Sequence, residues 1–304
     1  MQVEFKDNYE IKKHTTFKVG GNVKKVWFPK TQDELVFLLK NLEDYILLGN
    51  CSNILFSSNG YDGDVILTTK MCDFEIKNTS VTADCGVKGP LLAQKACEAS
   101  LRGFEFMIGF PGTIGGEVYM NASCHGQAIS DCLIRCCLFD KEKKEVVFKD
   151  KSEMGFDYRK SMLQSGKYIL IGAEFELKKA DKEEIQARLD KNLAFRKDKQ
   201  PNLATPNAGS VFKNPENDSA GRLLDAIGAK KFEKDNVKVF ENHANFIVNK
   251  GNATSEDILS LMFKMFTAVK ENYKIELQPE IIFIGDKTKQ EEEICKILYQ
   301  KTQK

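Results

Sequence analysis

Residues 109–116 read GFPGTIGG, four glycines in eight positions. A segment with so few side chains can bring its backbone against a ligand, as loops that hold anions or flat rings do. Gly109, Gly112, Gly115 and Gly116 have neither the spacing of a P-loop nor that of a G-x-G-x-x-G dinucleotide turn. The chemistry legible there is backbone near something flat or anionic. Residues 48–56 (LGNCSNILF) form a second such place. Gly49 is read as permitting unusual backbone angles in a tight turn after a strand. Asn50, Ser52 and Asn53 surround exposed amides, a nest that can hold a pyrophosphate without a cationic side chain. A plain polar turn fits the same residues.

Three further segments offer reactive groups. Residues 155–162 (GFDYRKSM) supply Tyr158 and Arg159, and an arginine can fork onto a carboxylate or simply sit on the surface. Residues 208–215 (AGSVFKNP) hold Ser210 with no histidine close in sequence, whereas a nucleophilic serine wants an adjacent base. Glu280 follows Gln278 and Pro279 and heads the apolar run IIFIG, either as a functional carboxyl or as a turn cap. His14, His125 and His243 are far apart and make no H-x-x-x-H pattern, so no zinc site is expected. The G-x-S-x-G elbow of a serine hydrolase is absent.

The elements that must position these groups come from an ordinary globular composition: 304 residues, 42% hydrophobic, 29% charged, net charge +1. That charge gives no field to gather nucleic acid or a membrane surface, and favours a small-molecule partner. No apolar run approaches the roughly 18 residues of a membrane helix. The N-terminus lacks the apolar core of a signal peptide. Nine cysteines without a C-x-x-C pair are expected to be buried free thiols in a reducing, cytoplasmic setting.

Strands are expected at 23–28, 45–48, 64–68, 81–86, 132–139, 145–148, 168–177, 245–248, 274–277 and 281–285. Helices are expected from the capping Thr31, at 91–101, 181–197 and 220–228, and from the capping Thr254 to 269, with a helical tail. Strands in every section make the class α+β. Length alone suggests about two domains, but the distribution of elements fits three lobes better: 1–69 with the tail 286–304, 70–199, and 200–285.

Taken in chain order, nine of these stretches resemble the UDP-N-acetylenolpyruvoylglucosamine reductase family, in its type lacking an extra substrate-covering loop. They are 14–21 (HTTFKVGG), 49–55 (GNCSNIL), 110–116 (FPGTIGG) with Asn121 and Ala122, 157–162 (DYRKSM), 199–201 (KQP), 208–215 (AGSVFKNP), 220–229 (AGRLLDAIGA), 243–254 (HANFIVNKGNAT) and 278–280 (QPE). The resemblance implies an FAD-binding fold of the vanillyl-alcohol-oxidase type plus a smaller α+β substrate lobe. It implies that Gly49, Asn50, Cys51, Ser52, Asn53 and Ile54 cradle non-covalent FAD together with Pro111, Gly112, Thr113, Gly115, Gly116, Asn121 and Ala122. NADPH would reduce the flavin, and hydride would pass to the enolpyruvyl carbon of UDP-N-acetylglucosamine enolpyruvate. Arg159 would hold the substrate carboxylate, Glu280 would bond the enolate, and Ser210 would give the final proton. Tyr158, Lys199 and Asn214 fall where the family binds nucleotide-sugar or nicotinamide. A monomer is expected. The chain departs from the family at Asn50–Cys51, at Ser123–Cys124–His125 and at Phe240. Two other readings remain open here: a sugar or alcohol oxidase of the same fold, although the G-G-H context of covalent flavin attachment is absent, and a non-catalytic flavin- or nucleotide-binding paralogue.

Overall fold

The computed structural model describes residues 1–300; the last four residues of the expected tail lie outside the described residues. The chain divides into two compact units of interleaved segments. The first comprises Met1–Lys6, Lys25–Asn50 and Asp64–Arg196; the second comprises Asp7–Lys24, Cys51–Gly63 and Lys197–Lys304.

The first unit is built on an antiparallel five-stranded sheet. Its order is Glu145–Asp150, Leu133–Asp140, Tyr168–Glu176, Ser80–Asp84, Phe74–Lys77. The KEKK turn joins its first hairpin as expected, because the Asp140 carboxylate accepts the amides of Glu142 and Lys143 and Lys144 takes a left-handed conformation. Helix α1 (Gln32–Asn41) starts where the Thr31 hydroxyl accepts the Glu34 amide and buries Leu35, Leu38 and Leu39. Helix α2 (Gly89–Glu98) begins two residues before the expected start, since Pro90 occupies its first turn where no amide is needed. Helix α3 (Ile114–Met120) grows directly out of the glycine-rich loop, and α4 (Lys182–Lys199) sends Ile185 and Leu189 into the core. Phe104 meets Phe175 edge-to-face at 5.2 Å in that core, a geometry favoured by the ring quadrupoles. Tyr45–Leu48 pairs in parallel with Asp64 to Leu67 and ends on Gly49.

In the second unit α5 (Ala220–Ala226) is capped by Ser219 and packs with the hairpin Val237–Phe240 and His243–Asn249. Helix α6 (Ser255–Tyr273) opens with a reciprocal Thr254–Asp257 capping box. It buries Ile258, Leu259, Met262, Met265, Phe266 and Val269, one helical stripe. The strand expected at 274–277 does not form. The helix instead runs on to Tyr273, and Lys274 at φ 58° is its left-handed cap. Ile282–Ile284 pairs in parallel with Ile54–Phe56, and α7 (Lys289–Leu298) follows from the capping Thr288.

All nine cysteines are free, and six are buried; Cys72 is exposed, Cys124 and Cys137 half-buried. Cys136 and Cys137 point to opposite faces of their strand, as alternation requires. No group of metal-ligating side chains occurs among the described residues. No helix among them is long and apolar enough to cross a membrane.

Candidate active site

The glycine-rich loop and the turn at Gly49 come together in the first unit. The Asn50 side-chain amide donates to the carbonyl of Pro111. A Cβ on Gly49 would lie 2.3 Å from the Thr113 hydroxyl oxygen, so only glycine allows this approach. The expectation that Gly49 supplies unusual backbone angles is therefore corrected. The left-handed residue of the turn is Cys51, at φ 52°. Residues 112–115 are then zipped onto the segment before α2. Gly89 donates its amide to the Gly112 carbonyl at 3.3 Å, Ile114 to Val87 at 2.9 Å and Gly115 to Cys85 at 2.8 Å.

The four glycines thus have different tasks. Gly109 faces Arg196, Gly112 faces Glu117 and Gly115 faces Cys85 closely, whereas a Cβ on Gly116 would meet nothing within 4 Å. The Thr113 hydroxyl is buried and has no hydrogen-bond partner. The Thr113 hydroxyl is a neutral group with bonding capacity to spare, and the Gly116 backbone is open to close approach. They fit the phosphates and ring edges of a dinucleotide, and FAD is such a group.

Asn121 ends α3 in a left-handed conformation (φ 42°) and donates its side-chain amide to the Asp157 carbonyl at 3.0 Å. Asp157 and Lys160 exchange backbone bonds of 3.2 and 3.1 Å, closing a tight turn with Tyr158 and Arg159 at its tip. Arg159 adopts φ 53° there, a conformation that costs a side-chain-bearing residue about 1 kcal/mol. Strain of this kind persists where a side chain must be aimed. The guanidinium lies 5.1 Å from the Tyr158 ring centre and donates to the Ser123 hydroxyl at 2.7 Å. Ser123, one of the departures from the family pattern, is thereby an orienting partner of Arg159.

The second unit joins the segments that carry Ser210 and Glu280. Gly209 at φ 75° turns the chain, aided by the Asn207 side-chain oxygen accepting its amide. Ser210 then opens a short extended segment laid between two others. On one side Val211 donates to the Asn245 carbonyl, and on the other Glu280 donates its amide to the Val211 carbonyl, each at 2.9 and 2.8 Å respectively. Glu280 is fixed further by Asn53, whose side chain donates to the Glu280 carbonyl at 3.1 Å and whose carbonyl accepts from Ile282. Tyr299, beyond α7, donates its hydroxyl to the Ile281 carbonyl at 2.8 Å. Lys199 pairs with Asp198 at the end of α4, and Asn214 accepts the Ala220 amide at 3.1 Å, starting α5.

Sequence reasoning gave no role to Asn245. Its side chain accepts from the Phe212 amide at 3.0 Å and donates to the Phe212 carbonyl at 2.8 Å, all buried. A polar amide inside the apolar strand HANFIVN was the available signal. Asn245→Ala strands both backbone groups of Phe212 and is expected to cost about 2–4 kcal/mol, read as a lowered urea midpoint with unchanged m-value.

An FAD-binding-domain family model matches residues 23–144, and the C-terminal-domain model of UDP-N-acetylenolpyruvoylglucosamine reductase matches residues 200–284. The chain is similar to the reductase of that name from Caldicellulosiruptor bescii, 41% identical over 93% of this chain and 92% of that one. It is likewise similar to the one from Caldicellulosiruptor saccharolyticus, 39% identical over 94% of each chain. Among solved structures the reductase from Thermus caldophilus superposes with a TM-score of 0.78 at 33% identity, covering 93% of this chain and 99% of that one. The matched domains and the superposed structure define a flavoprotein oxidoreductase with an α+β FAD-binding domain and a smaller C-terminal domain. Within that class, the chain belongs to the UDP-N-acetylenolpyruvoylglucosamine reductase family.

Proposed function

We propose that this chain reduces UDP-N-acetylglucosamine enolpyruvate to UDP-N-acetylmuramate, a peptidoglycan precursor, with NADPH as reductant. The observation that carries this reading is the pairing of the segments that bear Ser210 and Glu280, joined by the bond from Glu280 N–H to the Val211 carbonyl. A hydrolase would need a base beside Ser210; a reductase needs a proton donor to carbon.

Gly49 and Asn50, with residues 111–116, hold FAD non-covalently; Cys51, Ser52, Asn53 and Ile54 continue the turn, and Asn121 and Ala122 close α3 behind it. Bound FAD supplies the hydride carrier. When hydride reaches the distal enolpyruvyl carbon, negative charge grows at the adjacent carbon and spreads into its carboxylate. The Arg159 guanidinium forks onto that carboxylate and so binds the transition state more tightly than the ground state. Glu280, if protonated, donates a hydrogen bond to the same enolate. Ser210 gives its proton to the carbon, which is basic enough to take it from a hydroxyl without a histidine relay. Tyr158, Lys199 and Asn214 bind the nucleotide-sugar or the nicotinamide cofactor. In this reading the flavin lobes are 1–69 with the tail and 70–199, and the substrate lobe is 200–285.

The reading is tested by incubating the FAD-loaded protein with NADPH and the enolpyruvyl sugar nucleotide and weighing the product. A gain of two hydrogens in the sugar nucleotide, dependent on NADPH, is expected. An unchanged mass with NADPH consumed would count against it.

A further inference from the structure

Glu117 lies on α3, four residues beyond Thr113, where the mechanism gives it nothing to do. Its side chain is 3% exposed, and both carboxyl oxygens are buried without a hydrogen-bond partner. The carboxyl fills the space left by two absent side chains. A Cβ on Gly89 would be 2.1 Å from Oε1, and one on Gly112 would be 3.1 Å from the same atom. The acid is therefore built into the underside of the loop assigned to FAD, an arrangement opposite in sign to what a pyrophosphate wants.

The segments packed around it offer no compensating charge. The start of α2 presents Gly89 and Pro90, with Lys88 exposed. The loop presents Gly112 and the neutral Thr113 hydroxyl. Just after Ser80–Asp84, the Cys85 carbonyl oxygen and Cβ face Gly115; burial pushes the Cys85 thiol up to about 12, so it stays neutral. Desolvation also raises the Asp84 carboxyl and the Tyr119 phenol on the helix itself. Burial alone pushes Glu117 up to about 8, with no cation or donor pulling it back.

We propose that Glu117 is a buried acid whose proton is required for FAD to bind, so that the loop accepts the anionic cofactor only while this carboxyl is neutral. The proposal rests on the assignment of residues 111–116 to FAD. An ionised carboxylate under the loop would repel the pyrophosphate through a medium that screens poorly. Binding above the acid's titration range then requires proton uptake at Glu117. The sign follows: a group that binds a proton more tightly in the complex weakens the complex as pH rises.

The test is FAD affinity of the apoprotein, followed by quenching of flavin fluorescence between pH 6.5 and 9.5. For the wild type the dissociation constant is expected to rise about tenfold from pH 7 to pH 9. Glu117→Gln keeps the shape and a donor but cannot ionise; its affinity is expected to match the wild type at pH 6.5 and to stay flat to about twofold. Equal pH slopes in the two proteins overturn the proposal while leaving the flavin reading intact. Failure of the wild type to bind FAD at pH 7 overturns the flavin reading itself. Should the variant not fold, calorimetry of FAD binding to the wild type at pH 8.5, in two buffers of different ionisation enthalpy, decides the matter. Uptake of most of one proton supports the proposal, and no uptake ends it.

Discussion

Ser210→Ala is expected to leave flavin reduction by NADPH within about twofold of the wild type and to slow reoxidation by the enolpyruvyl substrate by about 10²–10⁴-fold, the usual weight of a positioned proton donor. The hydroxyl has no part in carrying hydride to the flavin, so the first half-reaction does not need it. The second half-reaction ends on carbon, where a proton from bulk water must substitute. The change is small and local: Ser210 is half-buried at the start of its segment, and the backbone bonds of Val211, Phe212 and Glu280 do not involve its side chain. Stopped-flow traces of the two half-reactions separate the outcomes. Loss of flavin reduction in this variant would show that the proton-donor role is wrong.

Arg159→Gly is expected to slow the second half-reaction by about 10³-fold, as for loss of a charge-stabilising donor, while thermal stability stays within about 1 kcal/mol of the wild type. The stability side of this prediction comes from the backbone. Arg159 stands at φ 53°, where glycine removes the strain of a side-chain-bearing residue and adds a comparable entropic cost. A variant that folds as well and works a thousandfold worse would separate aiming from scaffolding. Arg159→Lys keeps the charge but loses the planar fork, and is expected to recover only part of the rate. Equal rates for all three proteins in the second half-reaction would remove Arg159 from the mechanism.

Much of the fold was legible because its signals are local. Thr31 and Thr254 announce α1 and α6 through capping geometry that four consecutive residues determine. The hairpin at 133–150 is marked by two apolar runs and a charged turn between them. The elements that escaped are those whose partners lie far away. Ile54–Phe56 has three residues and pairs with Ile282–Ile284, more than two hundred positions on. Phe5–Glu10 is mostly exposed and shows no alternation to read. The absent strand at 274–277 has the right residue types, but Lys274 is taken by the end of α6.

The candidate site shows the same division. Glycine density singled out the loop 109–116, yet spacing could not say which glycine faces a neighbour and which faces open space. That depends on Arg196, Glu117 and Cys85, brought up by other elements. Likewise the residues Ser210 and Glu280 are seventy positions apart, and their segments are joined by backbone bonds from Glu280 to Val211 and from Lys213 to Gln278. Family resemblance assigned the trio as a set; physical chemistry of each residue alone left Ser210 inert and Glu280 a turn cap. The Glu117 carboxyl was invisible as a feature, since an acid in the first turn of a helix is ordinary. Its burial without a partner is a property of the packed chain.

The central claim is that one chain runs two half-reactions, with Ser210, Arg159 and Glu280 acting in the second. The most direct test is the anaerobic absorption spectrum of the FAD-loaded protein, recorded after NADPH and again after UDP-N-acetylglucosamine enolpyruvate. The account predicts that the flavin bands bleach with NADPH and return with the enolpyruvyl sugar nucleotide, one equivalent for one. Bands that bleach and stay bleached after the second addition would contradict it.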